Sequence, residues 1–241
     1  MTQVAEGVYF IRGRDDMIPD SHIYIIGKPG SNDLSMIDTG LAGKGQYKLD
    51  AVKDLGIEYS EIKRIIMTHT HLDHISCLPE IRTAIPELEL WVHSAEAELL
   101  EKGDERGVYG MDMFRNMCQA QYGLKDGLFK LTVDRKLDDN DLLEVGDMTW
   151  EVMHIPGHSA GAIALYNREL KILVPGDVIY ADYAIGRFDL YGSDPSQHRN
   201  SLYRLAELEV DVLLPGHNSI MTSVPEGYIM RTADQWSGYL A

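Results

Sequence analysis

The chain has 241 residues, 44% of them hydrophobic, and its 38 Asp and Glu outnumber 22 Lys and Arg to give a formal charge of −16. That length can bury a substantial core, and an acidic balance with no compact basic run argues against nucleic acid as a partner. No stretch nears the ~20 apolar residues of a membrane span, and Met1 to Glu6 has neither the basic start nor the apolar core of a signal peptide, so a cytoplasmic protein is expected.

Strand-like runs open the chain at Val8 to Ile11, Ile23 to Ile26 and Leu34 to Ile37, separated by Gly, Pro, Asn and Asp turns in the manner of a β-meander. Helical patterning covers about Lys44 to Leu55. The apolar run Arg64-Ile65-Ile66-Met67 predicts a strand continuing to His69, followed by a helix from about His74 and a strand at Leu88 to Val92. That order fits sheet covered by helices.

At the strand-to-helix junction lies Thr68-His69-Thr70-His71-Leu72-Asp73-His74, four potential metal ligands in six residues. A lone histidine is usually a hydrogen-bonded loop or core residue; four such groups this close are hard to explain as packing. Alternate strand side chains share a face, so His69 and His71 are expected to converge on one ion. Asp73 and His74, at the helix start, then point at a second. Imidazole mixed with carboxylate suits zinc, iron or manganese. Cys77, on the following helix, reads as a packing residue, and its spacing from Cys118 is that of neither a zinc clip nor a disulfide framework.

Residues 94–131 read as a helical insert rich in Met, Glu and Gly. Met111, Met113 and Met117 are expected to pack in the core; the functional alternative is a mobile wall over a substrate pocket. The apolar insert would equally suit a partner subunit, as in a homodimer. No Pro/Gly/Ser-rich linker divides the chain, which reads as a single domain over 1–241.

Strands resume at Thr149 to Met153, Ala162 to Tyr166 and Lys171 to Val174. A helix from about Pro195 to Leu208, a short strand at Asp211 to Leu214 and a closing helix within Glu226 to Tyr239 follow. Three strand ends share one device: Pro156-Gly157-His158, Pro175-Gly176-Asp177 and Pro215-Gly216-His217 each place a ligand type after Pro-Gly, where a tight turn thrusts it from a sheet edge. With His69, His71, Asp73 and His74 they supply seven ligands, enough for two ions sharing a carboxylate. His22, His93, His154 and His198 have no such setting and are expected to be structural.

In this motif set the chain resembles the metallo-β-lactamase fold superfamily: HxHxDH, PGHS, PGD and LPGH occur in the family's order over nearly the whole length. The resemblance implies an αββα sandwich of two mixed β-sheets flanked by helices, with the site at one sheet edge. Carried over, His69, His71 and His158 would hold the first metal and Asp73, His74 and His217 the second, with Asp177 bridging. Asp38, in Met36-Ile37-Asp38-Thr39-Gly40, matches an early strand-end aspartate that orients a ligand; a turn or cap hydrogen bond is its structural alternative.

Two adjacent divalent ions, zinc foremost with iron and manganese as alternatives, would supply a metal-bridging hydroxide for hydrolysis. Asp73 and Asp177 are the candidate catalytic carboxylates. The bridging aspartate is unlike the true β-lactamases of this fold, and Ile185-Gly186-Arg187-Phe188-Asp189 is similar to the GRxD segment of glyoxalase II-like proteins. A small ester or thioester is thus the expected substrate. Lactonases, which use a tyrosine near the metals, are the alternative, with Tyr180 and Tyr183 as candidates and Arg187 as a further substrate residue. Another class stays open: mononuclear iron persulfide dioxygenases bind through residues matching His69, His158 and Asp177.

Overall fold

Alternation along the strands sorts the apolar side chains into layers. In β3 (Ile23–Ile26), Ile23 and Ile25 join one core while Tyr24 and Ile26 join another, as successive side chains on a strand must when both faces of the sheet are covered. The computed structural model describes residues 2–240. Seven strands, β1 (Thr2–Ala5), β2 (Val8–Ile11), β3, β4 (Leu34–Ile37), β5 (Ile62–Ile66), β6 (Glu89–His93) and β7 (Arg135–Leu137), form one sheet in chain order. The second sheet takes β8 (Leu142–Val145), β9 (Met148–His154), β10 (Ile163–Asn167), β11 (Ile172–Val174) and β12 (Val212–Leu213), in the order β12-β11-β10-β9-β8.

Trp91, Ile37 and Ile66 from the first sheet meet Trp150, Leu165 and Val174 from the second in the central layer. Outside the first sheet lie α1 (Gly45–Asp54), α2 (Leu72–Ile75), α3 (Leu78–Ala84), α4 (Ser94–Lys102), α5 (Arg106–Tyr109) and α6 (Asp112–Tyr122); outside the second lie α7 (Pro195–Ala206) and α8 (Tyr228–Trp236). This is an αββα sandwich with both sheets mixed. No helix among the described residues is long and apolar enough to cross a membrane.

Strand direction brings the ligand-type turns to one edge. β4, β5, β6 and β7 are mutually parallel, so the segments after β4 (Asp38) and after β5 (His69 to His74) leave the first sheet on the same side. In the second sheet β9 and β11 are each antiparallel to β10, and β12 is parallel to β11. The three Pro-Gly turns that follow β9, β11 and β12 therefore emerge together. The Ile163 amide donates to the Thr68 carbonyl at 2.9 Å and ties the two edges.

Several expectations need correction. β5 ends at Ile66, so His69 and His71 sit on a loop and converge by its path, not by strand alternation. The chain leaves the ladder because Thr68 turns to Asp38, which accepts from both its amide and its hydroxyl at 2.7 Å. The methionines do not pack in the core: Met111, Met113 and Met117 are 37%, 79% and 43% exposed. On α6 the inward face is taken by Phe114 and Cys118, one helical turn apart, leaving Met113 and Met117 outside. The segment 94–131 forms α4, α5 and α6 and is irregular after Tyr122. β1, β7 and β8 were not anticipated, being short edge strands whose sequences carry weak alternation.

Gly157 marks how tightly α7 seats. Its φ is +135° and a Cβ there would lie 2.2 Å from the His198 amide nitrogen, a place only glycine fills. His198 is fully buried, its Nε2–H donating to the Val178 carbonyl at 2.8 Å, and burial pushes its pKa down to about 4. In the unfolded chain the group titrates near 6.5, so between those values the unfolded state binds more protons and stability falls as pH drops. Urea-unfolding midpoints of metal-stripped protein should fall from pH 7 to pH about 4.5, with His198 contributing up to about 3 kcal/mol. His198→Gln, which keeps the donor without the titration, should flatten that fall; an unchanged pH dependence would assign the acid sensitivity elsewhere.

Candidate metal centre

Seven side chains meet where the two sheet edges face each other. They fall into two groups, His69, His71 and His158, and Asp73, His74, Asp177 and His217, within each of which the candidate donor atoms lie within 4.8 Å of one another. In the first group His158 Nε2 is 2.9 Å from His71 Nδ1 and 3.1 Å from His69 Nε2. In the second, His217 Nε2 is 3.0 Å from Asp73 Oδ2 and 3.4 Å from Asp177 Oδ2, and His74 Nε2 is 3.3 Å from Asp177 Oδ1. Asp177 also reaches the first group, its Oδ2 being 3.8 Å from His158 Nε2. It thus stands between the two.

The hydrogen bonds behind the rings decide which nitrogen is bare. His158 Nδ1–H donates to the Arg187 carbonyl at 2.6 Å, which leaves Nε2 as a lone pair. His74 Nδ1–H donates to Asp38 Oδ2 at 2.9 Å, and its Nε2 likewise faces inward. Thr68 Oγ1 donates to the same Asp38 oxygen and so accepts from His69 Nδ1–H at 3.1 Å. One carboxylate therefore orients His74 directly and His69 through Thr68. Asp38 does this from a left-handed conformation, φ +58°, that aspartate tolerates better than most residues.

Converging lone pairs repel unless a cation lies among them. His74 Nε2 and Asp177 Oδ1 are buried in the cluster without a hydrogen-bond partner among the described residues, each a cost that coordination would remove; His71 meets the first group through Nδ1, and its Nε2 is likewise buried without a partner. Donors about 2.0–2.2 Å from a tetrahedral zinc sit roughly 3.3–3.6 Å apart, close to the separations seen here. Gly216 keeps the space clear: a Cβ there would lie 2.2 Å from Asp177 Oδ1 and 2.8 Å from His74 Cε1. The donor set fits two ions.

Charge divides the groups further. Burial and the neighbouring rings hold His69 well below the ordinary imidazole value, push His71 down to about 3 and lower His158, so all three are neutral. His74 and His217 go the other way: against the burial penalty, Asp177 raises both, His74 with help from Asp38 and His217, with help from Asp73, to about 10. Asp73 falls to about 2 despite its burial, chiefly through its hydrogen bond with His217.

A cavity of about 410 Å³ opens over the cluster. His71, Asp73, His158, Asp177 and His217 form its floor, and Ile18, Leu72, Val108, Tyr109, Phe114 and Leu190 give it an apolar wall. Tyr180 lines it, its ring 6.2 Å from that of His217 and its hydroxyl beside Asp177. Tyr183 does not; it stacks on Tyr228 at 4.7 Å. Arg187 lines the cavity, but its guanidinium is paired with Asp189 at 2.7 and 2.8 Å, and it is the Arg187 carbonyl that holds His158. The expected structural histidines have backbone partners: His22 donates to the Asn218 carbonyl at 2.8 Å and His154 to that of Ala160 at 3.0 Å, while His93 accepts from the Ala95 amide at 3.3 Å.

Sequence reasoning missed the supports. Asp20 and Lys48 form a fully buried pair at 2.6 Å, and Asp20 also accepts from the Arg14 and Leu41 amides, fastening the 12–22 loop that walls the cavity. Glu96, 2% exposed, accepts from the Gly161 amide at 3.2 Å and lies beside the Thr70 and Ser159 hydroxyls, between the loops that carry His71 and His158. Neither carries a local signal: each reads as an ordinary polar residue of a loop or helix.

The metallo-beta-lactamase superfamily model matches residues 19–217. The chain is similar to the acyl-coenzyme A thioesterase MBLAC2 of chicken, 35% identical over 160 residues covering 63% of this chain and 55% of that one, and of human, 30% identical over 203 residues covering 78% and 70%. It thus spans about half the length of the chicken protein. The hydroxyacylglutathione hydrolase of Ectopseudomonas mendocina is 29% identical over 189 residues, 78% of this chain and 58% of that one. Among solved structures, TTHA1623 in a di-iron-bound form superposes with a TM-score of 0.69 at 25% identity, covering 93% of this chain and 98% of its own.

Asp38→Asn tests the orienting network, since the amide keeps the shape but offers a donor where His74 and Thr68 also donate. Zinc affinity, measured by competition with a chromophoric chelator, should weaken roughly 10- to 100-fold; unchanged affinity would show that the ring orientations hold without Asp38.

Proposed function

The chain belongs to the metallo-beta-lactamase superfamily, and within it we propose a hydrolase of small acyl thioesters that works with two divalent ions. The observation that carries the two-ion reading is Asp177, held within 4 Å of His158 on one side and of His74 and His217 on the other. His69, His71 and His158 would hold one ion, Asp73, His74 and His217 the other, with Asp177 shared. Zinc suits this mixture of imidazole and carboxylate best, with iron and manganese the alternatives. Bound there, the ions would activate a water and polarise the scissile carbonyl.

The remaining work falls to the chain itself. The wall of Val108, Tyr109, Phe114 and Leu190 offers an acyl group an apolar surface beside the floor of donors, and its burial would hold the carbonyl in place. Asp73, accepting from His217, is placed to orient a water at the floor. The Tyr180 hydroxyl, beside Asp177 at the cavity wall, is a neutral donor available to a carbonyl oxygen. A thiolate leaving group needs little help: thiols titrate near ~8.5, so the departing sulfur survives without a proton. That favours thioesters over amides, and the similarity to the acyl-coenzyme A thioesterases of chicken and human and to the hydroxyacylglutathione hydrolase of Ectopseudomonas mendocina supports the same reading.

A lactonase reading draws support from the same Tyr180. A mononuclear iron oxygenase would use His69, His158 and Asp177 and leave the Asp73, His74 and His217 group without a task, so His217 separates the classes. Purified protein should carry about two divalent ions per chain and hydrolyse S-phenyl thioacetate, followed by thiol release. His217→Ala should lose one ion and most turnover, by more than the roughly 10- to 100-fold typical of an outer partner's loss. Asp177→Ala should lose both ions. Full activity in His217→Ala, or one iron per chain in the wild type, would overturn the two-ion hydrolase.

A further inference from the structure

The C-terminal helix α8 contributes no donor to the metal centre and no residue to the cavity wall, yet it grips the segment that presents Tyr180. After Asp177 the chain makes a tight kink in which two successive residues, Asp182 and Tyr183, are left-handed, with φ +59° and +58°. Aspartate tolerates that conformation; a bulky tyrosine rarely adopts it. The kink is closed by the Tyr180 amide, which donates to the Ala184 carbonyl at 2.9 Å. The Ala184 amide turns back to the Ala181 carbonyl at 3.3 Å, while the Tyr180 carbonyl and the amide and carbonyl of Tyr183 turn to α8.

Tyr228, the first residue of α8 and 3% exposed, places its hydroxyl inside the kink. The hydroxyl donates to the Tyr180 carbonyl at 2.9 Å and accepts from the Tyr183 amide at 2.8 Å. One oxygen thus joins the Tyr180 carbonyl, ahead of the strained pair, to the amide between its two residues. The Tyr228 ring stacks on that of Tyr183 at 4.7 Å, and Trp236, at the far end of the helix, donates from Nε1 to the Tyr183 carbonyl at 2.8 Å. Strain persists only where the surroundings over-determine it, and here the surroundings are Tyr228 and Trp236.

We propose that Tyr228 is a positioning residue for the reaction: its hydroxyl holds the Asp182–Tyr183 kink closed and so sets the Tyr180 side chain against Asp177 and His217 in the cavity. The helix then tunes, from outside the pocket, the position of a neutral donor at the cavity wall. The rate effect rests on the thioesterase reading; the placement of Tyr180 does not, and the two are measured separately.

Placement is read by fluorine NMR of protein labelled with 3-fluorotyrosine. The resonance absent from Tyr180→Phe belongs to Tyr180, and in Tyr228→Phe that resonance should shift or broaden. An unmoved Tyr180 resonance overturns the proposal whether or not the protein hydrolyses anything. Rate is read on S-phenyl thioacetate with Tyr180→Phe, Tyr228→Phe and the double variant, each checked for metal content. Tyr180→Phe should lower kcat by up to about 10²-fold, the scale of one lost oxyanion donor, and Tyr228→Phe should lower it in the same direction. The double variant should be no slower than Tyr180→Phe, because both act through one hydroxyl. Multiplying effects, or a kcat indifferent to Tyr180→Phe, overturn the positioning role while leaving hydrolysis in place. Tyr203→Phe is the control for mere helix docking: it removes the 3.0 Å hydrogen bond from α7 to Asp234 on α8 and should alter stability without altering kcat.

Discussion

Neutral imidazoles and carboxylates do not gather in a buried pocket unaided, since each ring prefers to face its neighbours with a proton and not a lone pair. What holds them here is the set of acceptors behind the rings, and the Asp38 carboxylate is the centre of it. By taking hydrogen bonds from the Thr68 amide, the Thr68 hydroxyl and His74 Nδ1, it ends β5, turns the loop that follows and fixes the inward face of two rings. Its own left-handed backbone is the strain that this arrangement carries.

The sandwich exists, from the viewpoint of the site, to hold two sheet edges in register. The first sheet delivers the histidine loop from the end of a parallel strand, the position where open parallel sheets generally present their ligand loops. The second delivers three Pro-Gly turns from strands of common direction. The central layer that locks the edges is almost wholly apolar, with Trp150 and Tyr24 among its largest buried side chains. Tyr24 is the exception that matters: its hydroxyl donates to the Pro215 carbonyl at 2.6 Å, so the inter-sheet core itself steadies the turn that carries His217.

Selectivity resides in different parts of the chain from the donors. α5, α6 and the 12–22 loop build the cavity walls, and they are fastened independently, the loop by the buried Asp20–Lys48 pair and α5 by packing of Tyr109 on Phe129 at 5.8 Å. Losing one partner of such a pair leaves an uncompensated charge in the interior, which explains why a loop rich in exposed charge can still present a defined wall. The exposed methionines of α6 lie outside that wall and take no part in it.

Most of the strand-helix order and the seven candidate ligands were legible in the sequence by itself, because Pro-Gly turns and clustered histidines are local chemical signals, whereas the short edge strands β1, β7 and β8 were not. The full division of the ligands into two groups and the place of Asp38 behind them came from the resemblance to the family's motifs. Local pattern misjudged how His69 and His71 converge, since where β5 ends depends on Asp38, thirty residues away, and it buried Met113 because helical spacing says which residues share a face but not which face is turned inward. Tyr180 and Tyr183 were indistinguishable in sequence; a kink of two left-handed residues, closed by Tyr228, turns one toward the cavity and the other away. Only the tertiary structure decided which nitrogen of each ring is bare and which tyrosine faces the site, because both depend on hydrogen bonds between groups far apart in the chain, and local pattern carries no record of a distant partner.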